Sequence, residues 1–430
     1  MVDFKKFAAI IRVPELRKKL FMVLWLILVF RIAAIVPVPG IPRESLAQIF
    51  SGNQLFGLLD IFSGGGLSRL SVVMLGLGPY ITASIVIQLS TMIFPRLEEM
   101  QKEEGEAGRR KLSQWTRLLA VPFAAIQGFG FLNILQRGGG AGGPTLTFTP
   151  WEMIMTLIAI IAGTIFLMWL GELMTKQGFG NGISLIIFIG IIGRLPEAIF
   201  QILATFTADQ LFTYAAFLVA SVVVIAGVVV VTEGQRAIPI SYAKQVRGNR
   251  MLGGTSTHLP LRVNQAGVMP IIFALSVMLF PGIIANFFVA SSNTVVVSVS
   301  QFVVQLFQNQ LFYGAVYFVL VVVFTYFYTS VTFDPAQISE NVQKQGGFIP
   351  GIRPGRQTML YLQYVVRRIT LAGAIFLGAI AVLPLIVQAF SGLTTLTIGG
   401  TALLIVVSVV LETLKQIESQ LTMREYEGFL

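Results

Sequence analysis

Few side chains in this sequence could carry out covalent chemistry. The single histidine, His258, lies between apolar segments, where capping a loop suits it better than catalysis. The four aspartates are Asp3, Asp60, Asp209 and Asp334. They form no pair within an apolar segment, which argues against an intramembrane aspartyl protease. The sequence has no cysteine and no GxxxxGK[ST] phosphate-binding loop, so thiolate metal sites and intrinsic ATPase activity are excluded. We expect a protein that is not an enzyme and that uses no metal or cofactor.

Charged residues inside the apolar segments are also few. Glu172 and Glu412 lie near segment ends, as expected for groups at a membrane interface. Arg31 lies inside the first segment, so it either marks a functional site or extends its side chain to the external interface. A transporter coupled to protons or sodium needs carboxylates or clustered hydroxyls at membrane depth. The segments offer isoleucine and glycine there instead.

The composition is that of an integral membrane protein. The 430 residues are 55% hydrophobic and 12% charged, whereas soluble chains carry about 25% charged residues. A spanning helix needs about 20 apolar residues. Ten segments approach that length: Leu20–Val38, Gly78–Phe94, Leu118–Leu135, Ile154–Leu170, Ile183–Phe200, Leu211–Val231, Ala266–Val289, Leu311–Val331, Ile369–Phe390 and Ile398–Leu411. Arg194 and Pro196 make the fifth segment the least regular. The alternating stretch Ala290–Val304 is predicted to be an external loop.

The basic residues divide unevenly between the two sides of these segments. Most of the 30 lysines and arginines fall in the two termini and in the connections on the same side. Because basic residues favour the cytoplasm, both termini are predicted to be cytoplasmic. Ten spans then divide into an N-terminal half, residues 1–205, and a C-terminal half, residues 206–430. An odd number of spans in each half gives the inverted repeat found around a transport pathway.

The second segment is interrupted by glycine and proline. Within Asp60–Phe94, the run Gly64–Gly66 loosens the backbone, and Pro79 removes a hydrogen-bond donor. We expect a short helix near Ser68–Leu75 and then a spanning helix near Gly78–Phe94. A broken helix at membrane depth indicates a pathway, and a kinked, fully packed helix is the alternative.

Two connections, residues 232–263 and residues 332–368, are longer than the topology requires. They mix glycine, proline and basic residues with apolar ones. Long loops are usually functional or disordered, and this mixture favours ordered docking surfaces. A solvated basic loop without a partner is the alternative.

Eight sequence blocks follow one another in a recognisable order. They are FRIAAIVPVPGI (30–41), FSGGGLSR (62–69), PYITASIVIQL (79–89), EGEAGRRKLSQWTR (104–117), MWLGELMTKQGFGNGIS (168–184), STHLPLRVNQAGVMP (256–270), FIPGIRPGRQT (348–358) and GGTALLIVV (399–407). Over nearly its full length the chain resembles the SecY family of bacterial protein-conducting channels. The run of three glycines departs from the two that are frequent in that family.

The resemblance implies a plug and an apolar pore ring. The plug corresponds to residues 62–74, including Phe62, Ser63, Gly64, Gly65, Gly66, Leu67, Ser68 and Arg69. We expect it to contribute few apolar residues to the core, because it must move. The ring corresponds to Ile81, Ile85, Ile183, Ile187, Ile272 and Ile405, with Val268 beside it. Such a constriction excludes ions by dewetting. Spacing alone would leave these isoleucines as ordinary core or lipid-facing residues.

The resemblance also implies a lateral gate into lipid and a cytoplasmic docking surface. Gln127 and Asn264 correspond to a polar pair that bridges the gate between spans two and three and spans seven and eight. The docking residues correspond to Arg247, Arg250, Arg353 and Arg356. The two arginines in each long connection carry a positive charge that can bind carboxylates or phosphates.

We therefore expect an all-α integral membrane protein of ten transmembrane helices, in two inverted five-helix halves around an hourglass pore. The resemblance implies that it passes unfolded secretory polypeptides across the bacterial cytoplasmic membrane and releases apolar segments into the lipid bilayer. The partners it implies are the membrane subunits SecE and SecG, the SecA motor ATPase and the ribosome. The alternative is a secondary transporter of small molecules with an inverted repeat.

Overall fold

The computed structural model describes residues 13–38, 63–136, 149–204, 211–242, 245–247, 250–252, 256–288, 293–391 and 399–427. Helices dominate this part of the chain. They are α1 (Pro14–Ala33), α2 (Gly78–Ile93), α3 (Pro95–Lys102), α4 (Gly105–Gln136), α5 (Pro150–Lys176), α6 (Gly182–Ile192), α7 (Leu195–Ala204), α8 (Leu211–Glu233), α9 (Met269–Phe288), α10 (Thr294–Gln308), α11 (Gln310–Thr332), α12 (Pro335–Lys344), α13 (Arg356–Ser391) and α14 (Gly399–Glu427).

The apolar helices follow the hydropathy of the sequence. Each of the ten predicted segments overlaps a described helix. Within the described residues, four helices are long and apolar enough to cross a membrane: α4, α5, α11 with its continuation α12, and α13. The pair α2 and α3, bent by 104° between Ile93 and Pro95, makes a fifth when it is counted as one span. The count of ten spans therefore stays a prediction.

Three local predictions are wrong. The fifth segment is broken at Gly193–Arg194 into α6 and α7, and Pro196 lies in the first turn of α7, where its missing N–H costs nothing. Ala290–Val304 is not a loop in its described part, because α10 begins at Thr294 behind an Asn293 side chain that accepts from Val295 N–H at 3.1 Å. Ser68–Leu75 forms successive turns instead of a short helix.

The two long connections contain ordered structure. Strands β1 (Gln235–Tyr242), β2 (Gln245–Arg247), β3 (Arg250–Leu252) and β4 (Ser256–Arg262) lie in the first, and β5 (Gly347–Phe348) lies in the second. One antiparallel sheet has the order β4-β1-β5, and β2 pairs with β3. The register places Ile238 opposite Leu259 and Ser241 opposite Phe348. This sheet joins the two connections, and its apolar side packs on α13 through Ile238, Leu261, Ile349, Leu362, Val365 and Val366.

The largest apolar core lies among helices from both predicted halves. Helix α2 packs on α4 and α9, α6 packs on α14, and α11 packs on α9 and α13. Residues from α1, α2, α5, α6, α8, α9, α11, α13 and α14 share one hydrophobic cluster. The helices that carry the candidate site therefore share one apolar core.

Candidate pore constriction, plug and docking loop

The six isoleucines predicted to form the ring lie within or against one hydrophobic cluster of the structure. They lie on four helices: Ile81 and Ile85 on α2, Ile183 and Ile187 on α6, Ile272 on α9 and Ile405 on α14. Five of them belong to the largest hydrophobic cluster, and the partly buried Ile183 packs against it. The other five are at most 4% exposed, and Val268 beside them is 1% exposed. Spacing alone could not have assembled residues that are so far apart in sequence.

The isoleucines lie in an environment of aliphatic side chains, with α2 packed on α9 and α6 packed on α14. Ile81 and Ile85 lie one turn apart on the same face of α2, as do Ile183 and Ile187 on α6. The β-branched side chains present only carbon to the centre, so an ion there would lose its hydration without compensation. A dry apolar constriction can therefore act as a barrier to ions. The role of these residues as a ring around a moving polypeptide stays a prediction.

The stretch predicted to be the plug connects α1 to α2 by hydrogen-bonded turns. Ser71 N–H donates to Gly66 O at 2.7 Å, and Val38 N–H donates to Leu70 O at 2.8 Å. The second bond belongs to an isolated β-bridge that pairs Pro37 with Ser71. The Leu70 carbonyl thus bonds to the segment after α1, so it is not used to continue a helix. Phe62 lies outside the described residues, and Arg69 is exposed.

This stretch is well packed, so the expectation that it contributes few apolar residues to the core is wrong. Leu67, Leu70 and Met74 are at most 2% exposed. They form a second hydrophobic cluster with residues of α4 and α5, namely Phe131, Leu132, Leu135 and Ile160. Val73 points to the largest cluster instead. The turns therefore pack against both the largest hydrophobic cluster and the second one.

Gly163 of α5 allows the plug backbone to approach the helix directly. A Cβ added at Gly163 would lie 2.0 Å from the carbonyl oxygen of Val72. No side chain fits in that space, so the position requires glycine for steric reasons. The sequence did not predict this role of Gly163. The available signal for it was a glycine inside a helix that is otherwise strongly apolar.

The predicted gate residues are both buried and occupy neighbouring elements. Gln127 Nε2 on α4 donates to Thr82 Oγ1 on α2 at 3.3 Å. Asn264 Nδ2 donates to Gly267 O at 3.1 Å, and its Oδ1 has no hydrogen-bond partner among the described residues. The structure thus gives each amide a partner other than the opposite amide. Their role at a gate stays a prediction.

The loop that carries Arg353 has a defined backbone. Gly351 and Gly355 on either side adopt φ of +82° and +92°, values that favour glycine. Thr358 Oγ1 donates to Arg353 O at 3.0 Å, and Ser339 Oγ of α12 donates to Gly355 O at 2.8 Å. The Arg353 side chain is exposed. The loop thus presents an arginine to solvent from a fixed backbone.

The other predicted docking arginines lie on the same two connections. Arg356 is exposed at the start of α13. Arg247 and Arg250 face each other in the register of the β2–β3 pair, and their side chains lie outside what the structure describes. The four arginines therefore belong to the two connections that β1 and β5 join.

A contact between the connections of the two predicted halves was not anticipated. Lys102 Nζ at the end of α3 lies 3.5 Å from Asp334 Oδ2 and 2.9 Å from Glu98 Oε1. The hydrogen bond to Glu98 raises the pKa of Lys102 above its usual value. Asp334 also caps α12 by accepting from Ala336 N–H at 2.9 Å. The ion pair thus joins the connection after α2 to the helix that supports the Arg353 loop.

Comparisons with known proteins agree on one family. The SecY family model matches residues 71–414. Protein translocase subunit SecY of Mycobacterium tuberculosis (strain ATCC 25618 / H37Rv) is 44% identical over 99% of both chains. The same subunit of Streptomyces coelicolor is 43% identical, again over 99% of both chains.

Solved structures have the same fold. A protein-conducting channel superposes with a TM-score of 0.65 at 18% identity, covering 93% of this chain and 91% of that one. Sec61 in a canine ribosome-channel complex from the endoplasmic reticulum gives a TM-score of 0.62 at 18% identity, with the same coverage. At this identity the likeness concerns the fold alone.

Proposed function

This chain belongs to the SecY family, and we propose that it is a protein-conducting channel which passes unfolded secretory polypeptides across the cytoplasmic membrane and releases apolar segments sideways into lipid. It is a transport protein and not an enzyme. A secondary transporter of small molecules is not favoured, since the full-length relatives are protein translocase subunits.

The observation that carries the proposal is that six isoleucines from four helices lie in or against one hydrophobic cluster, while the turns of the predicted plug pack on it and on the second cluster. Aliphatic side chains can change rotamers around an extended polypeptide of any sequence, whereas hydrogen-bonding groups would select particular substrates. When no polypeptide is present, the same residues collapse into a dry barrier. We assign the ring to Ile81, Ile85, Ile183, Ile187, Ile272 and Ile405, and the plug to residues 62–74.

The proposed membrane arrangement has ten spans in two inverted halves, residues 1–205 and 206–430, with both termini in the cytoplasm. The uneven distribution of lysine and arginine supports this orientation. The overlap of every predicted segment with a described helix supports the span count. Gln127 and Asn264 are proposed to line the lateral gate, since they lie on α4 and just before α9, which pack together.

The proposed partners meet the channel at the two long connections. The canine relative occurs in a ribosome-channel complex, and we assign a ribosome contact to Arg247 and Arg250. Arg353 and Arg356 are proposed to dock the SecA motor, which supplies the energy that this chain lacks the residues to obtain. The membrane subunits SecE and SecG are proposed to complete the complex, as the resemblance to the SecY family implies.

Conductance through the purified complex in planar bilayers tests the constriction. Replacing Ile272 or Ile405 by Asn places an amide in the dry cluster and should hydrate it, so resting ion conductance should rise. Ile272→Val or Ile405→Val is the matched control, because it keeps the branched carbon and removes one methylene. Unchanged conductance in both Asn variants, with the complex intact, would remove these residues from the barrier.

A further inference from the structure

Arg31 is partly buried, and it bridges two helices. Its Nη2 donates to the carbonyl oxygen of Ile189 in the last turn of α6. A Cβ added at Gly193 would lie 1.1 Å from Arg31 Nη2 and 1.9 Å from Arg31 Cζ. The guanidinium therefore fills the space above Gly193, at the break between α6 and α7.

The position of the guanidinium suits the end of a helix. The last carbonyl groups of a helix carry partial negative charge, and a cation beside them is stabilising. Gly193 itself has φ −69° and ψ −10°, a right-handed conformation that any residue can adopt. Glycine is therefore needed at this position for the close approach of Arg31, and not for the backbone.

The same helix end forms the seat of the plug. A Cβ added at Gly64 would lie 2.9 Å from Phe30 Cζ and 3.0 Å from Gly190 Cα. A Cβ added at Gly65 would lie 3.7 Å from Arg194 Cδ. Gly64 and Gly65 have φ of +68° and +85°, so the plug turn has the shape that glycine permits and lies directly on this surface. We call Phe30, Gly190 and Arg194 the plug seat.

We propose that Arg31 is the positioning residue of the plug seat. Phe30 precedes Arg31 in α1, and Gly190 follows Ile189 in α6, so one side chain fixes the two helices that hold Gly64. When Arg31 is removed, the end of α6 separates from α1, and the plug turn loses its support. The inference rests on the proposed function in one respect, namely that the plug blocks the channel.

The test is a double-mutant cycle on purified complex in lipid. Arg31→Ala removes the guanidinium, and Gly193→Ala ejects it by occupying its place without straining the backbone. Because both changes break the same contact, the effect of the double variant should equal that of either single variant. Arg31→Lys keeps the charge and one donor but lacks the planar fork, so it should be intermediate.

Plug position is measured by thiol labelling, because the chain has no cysteine of its own. Ser71→Cys is the reporter: Ser71 is fully buried, and its hydroxyl makes no hydrogen bond with the described residues. Ser408→Cys is the matched control on α14, since Ser408 is also buried with an unpartnered hydroxyl in the described part of the chain. A membrane-impermeant maleimide is added from the external side.

We expect Arg31→Ala and Gly193→Ala each to raise the labelling rate at Ser71→Cys by about tenfold or more, since a hydrogen bond to a charged group has roughly that weight in an equilibrium. The rate at Ser408→Cys should stay unchanged. Unchanged labelling at Ser71→Cys would overturn the inference, and so would additive effects or an equal rise at both sites, which would indicate general loosening.

Ion conductance of the same variants separates this inference from the proposed function. Faster labelling with raised resting conductance supports both. Faster labelling with unchanged conductance supports the role of Arg31 and contradicts the plug as the ion barrier. Raised conductance with unchanged labelling overturns the role of Arg31 in seating the plug.

Discussion

Leu67→Ala should favour the open channel, because Leu67 packs in the second hydrophobic cluster only while the plug is seated. The side chain is 1% exposed between α4 and α5. Truncating a buried leucine costs about 2–5 kcal/mol in a well-packed core. Under the proposed function the plug leaves this cluster when the channel opens, so the cost falls on the closed state alone.

The lower figure gives a measurable change. A loss of about 2 kcal/mol corresponds to a roughly 30-fold rise in the ratio of open to closed channels. We expect the open probability at rest, measured for single channels in planar bilayers, to rise by that order. Leu362→Ala is the matched control, because Leu362 is also 1% exposed but packs beneath the β-sheet that joins the two long connections.

The control should lower the thermal stability of the complex by a similar amount and leave conductance at the wild-type level. If Leu67→Ala lowers thermal stability and leaves resting conductance unchanged, burial of the plug does not set the closed state. A rise in conductance for both variants would instead mean that any loss of stability opens the channel.

Two further changes probe the plug contact and the docking loop. Gly163→Ala should displace the Val72 carbonyl oxygen, which lies 2.0 Å from the position of the new Cβ, and should raise resting conductance. The control is Gly227→Ala on α8, where the atom nearest to the new Cβ is Cζ of the Phe376 ring at 3.3 Å. Arg353→Glu should leave thermal stability unchanged but severely reduce motor-driven translocation into proteoliposomes, and Arg353→Lys should be partly defective, because lysine lacks the planar fork. Normal conductance in Gly163→Ala, or a collapse of stability in Arg353→Glu, would contradict these assignments.

The sequence predicted the apolar helices well, because a run of apolar residues needs only burial or lipid to become a helix. Where prediction failed, a tertiary partner decided the local structure. The carbonyls of Gly66 and Leu70 bond to N–H groups of Ser71 and Val38, so Ser68–Leu75 forms turns although its composition permits a helix. The alternation of valine and serine after Asn293 led to the prediction of an external loop, yet that segment is α10, which packs on α9 and α11.

In the candidate site too, the sequence predicted some features, and tertiary contacts determined others. Motif blocks located the isoleucines, and the structure adds that residues as distant as Ile81 and Ile405 share one cluster. Close backbone approaches such as that of Gly163 to Val72 could not be predicted, because a glycine in an apolar helix has the same appearance whether it faces lipid or a neighbouring carbonyl. The sequence shows that Arg31 is a charge at membrane depth, but it does not identify the Ile189 carbonyl on α6 as the partner of Arg31.

The most direct test of the central claim is whether a translocating polypeptide passes through the isoleucine cluster. An Ile405→Cys variant would carry the only thiol in the chain, and a secretory polypeptide with one thiol-reactive group would be stalled during motor-driven translocation. We predict a crosslink to Ile405→Cys and none to Val230→Cys, whose parent side chain is 69% exposed on α8. A crosslink to Val230→Cys with none to Ile405→Cys, while translocation proceeds, would contradict the account.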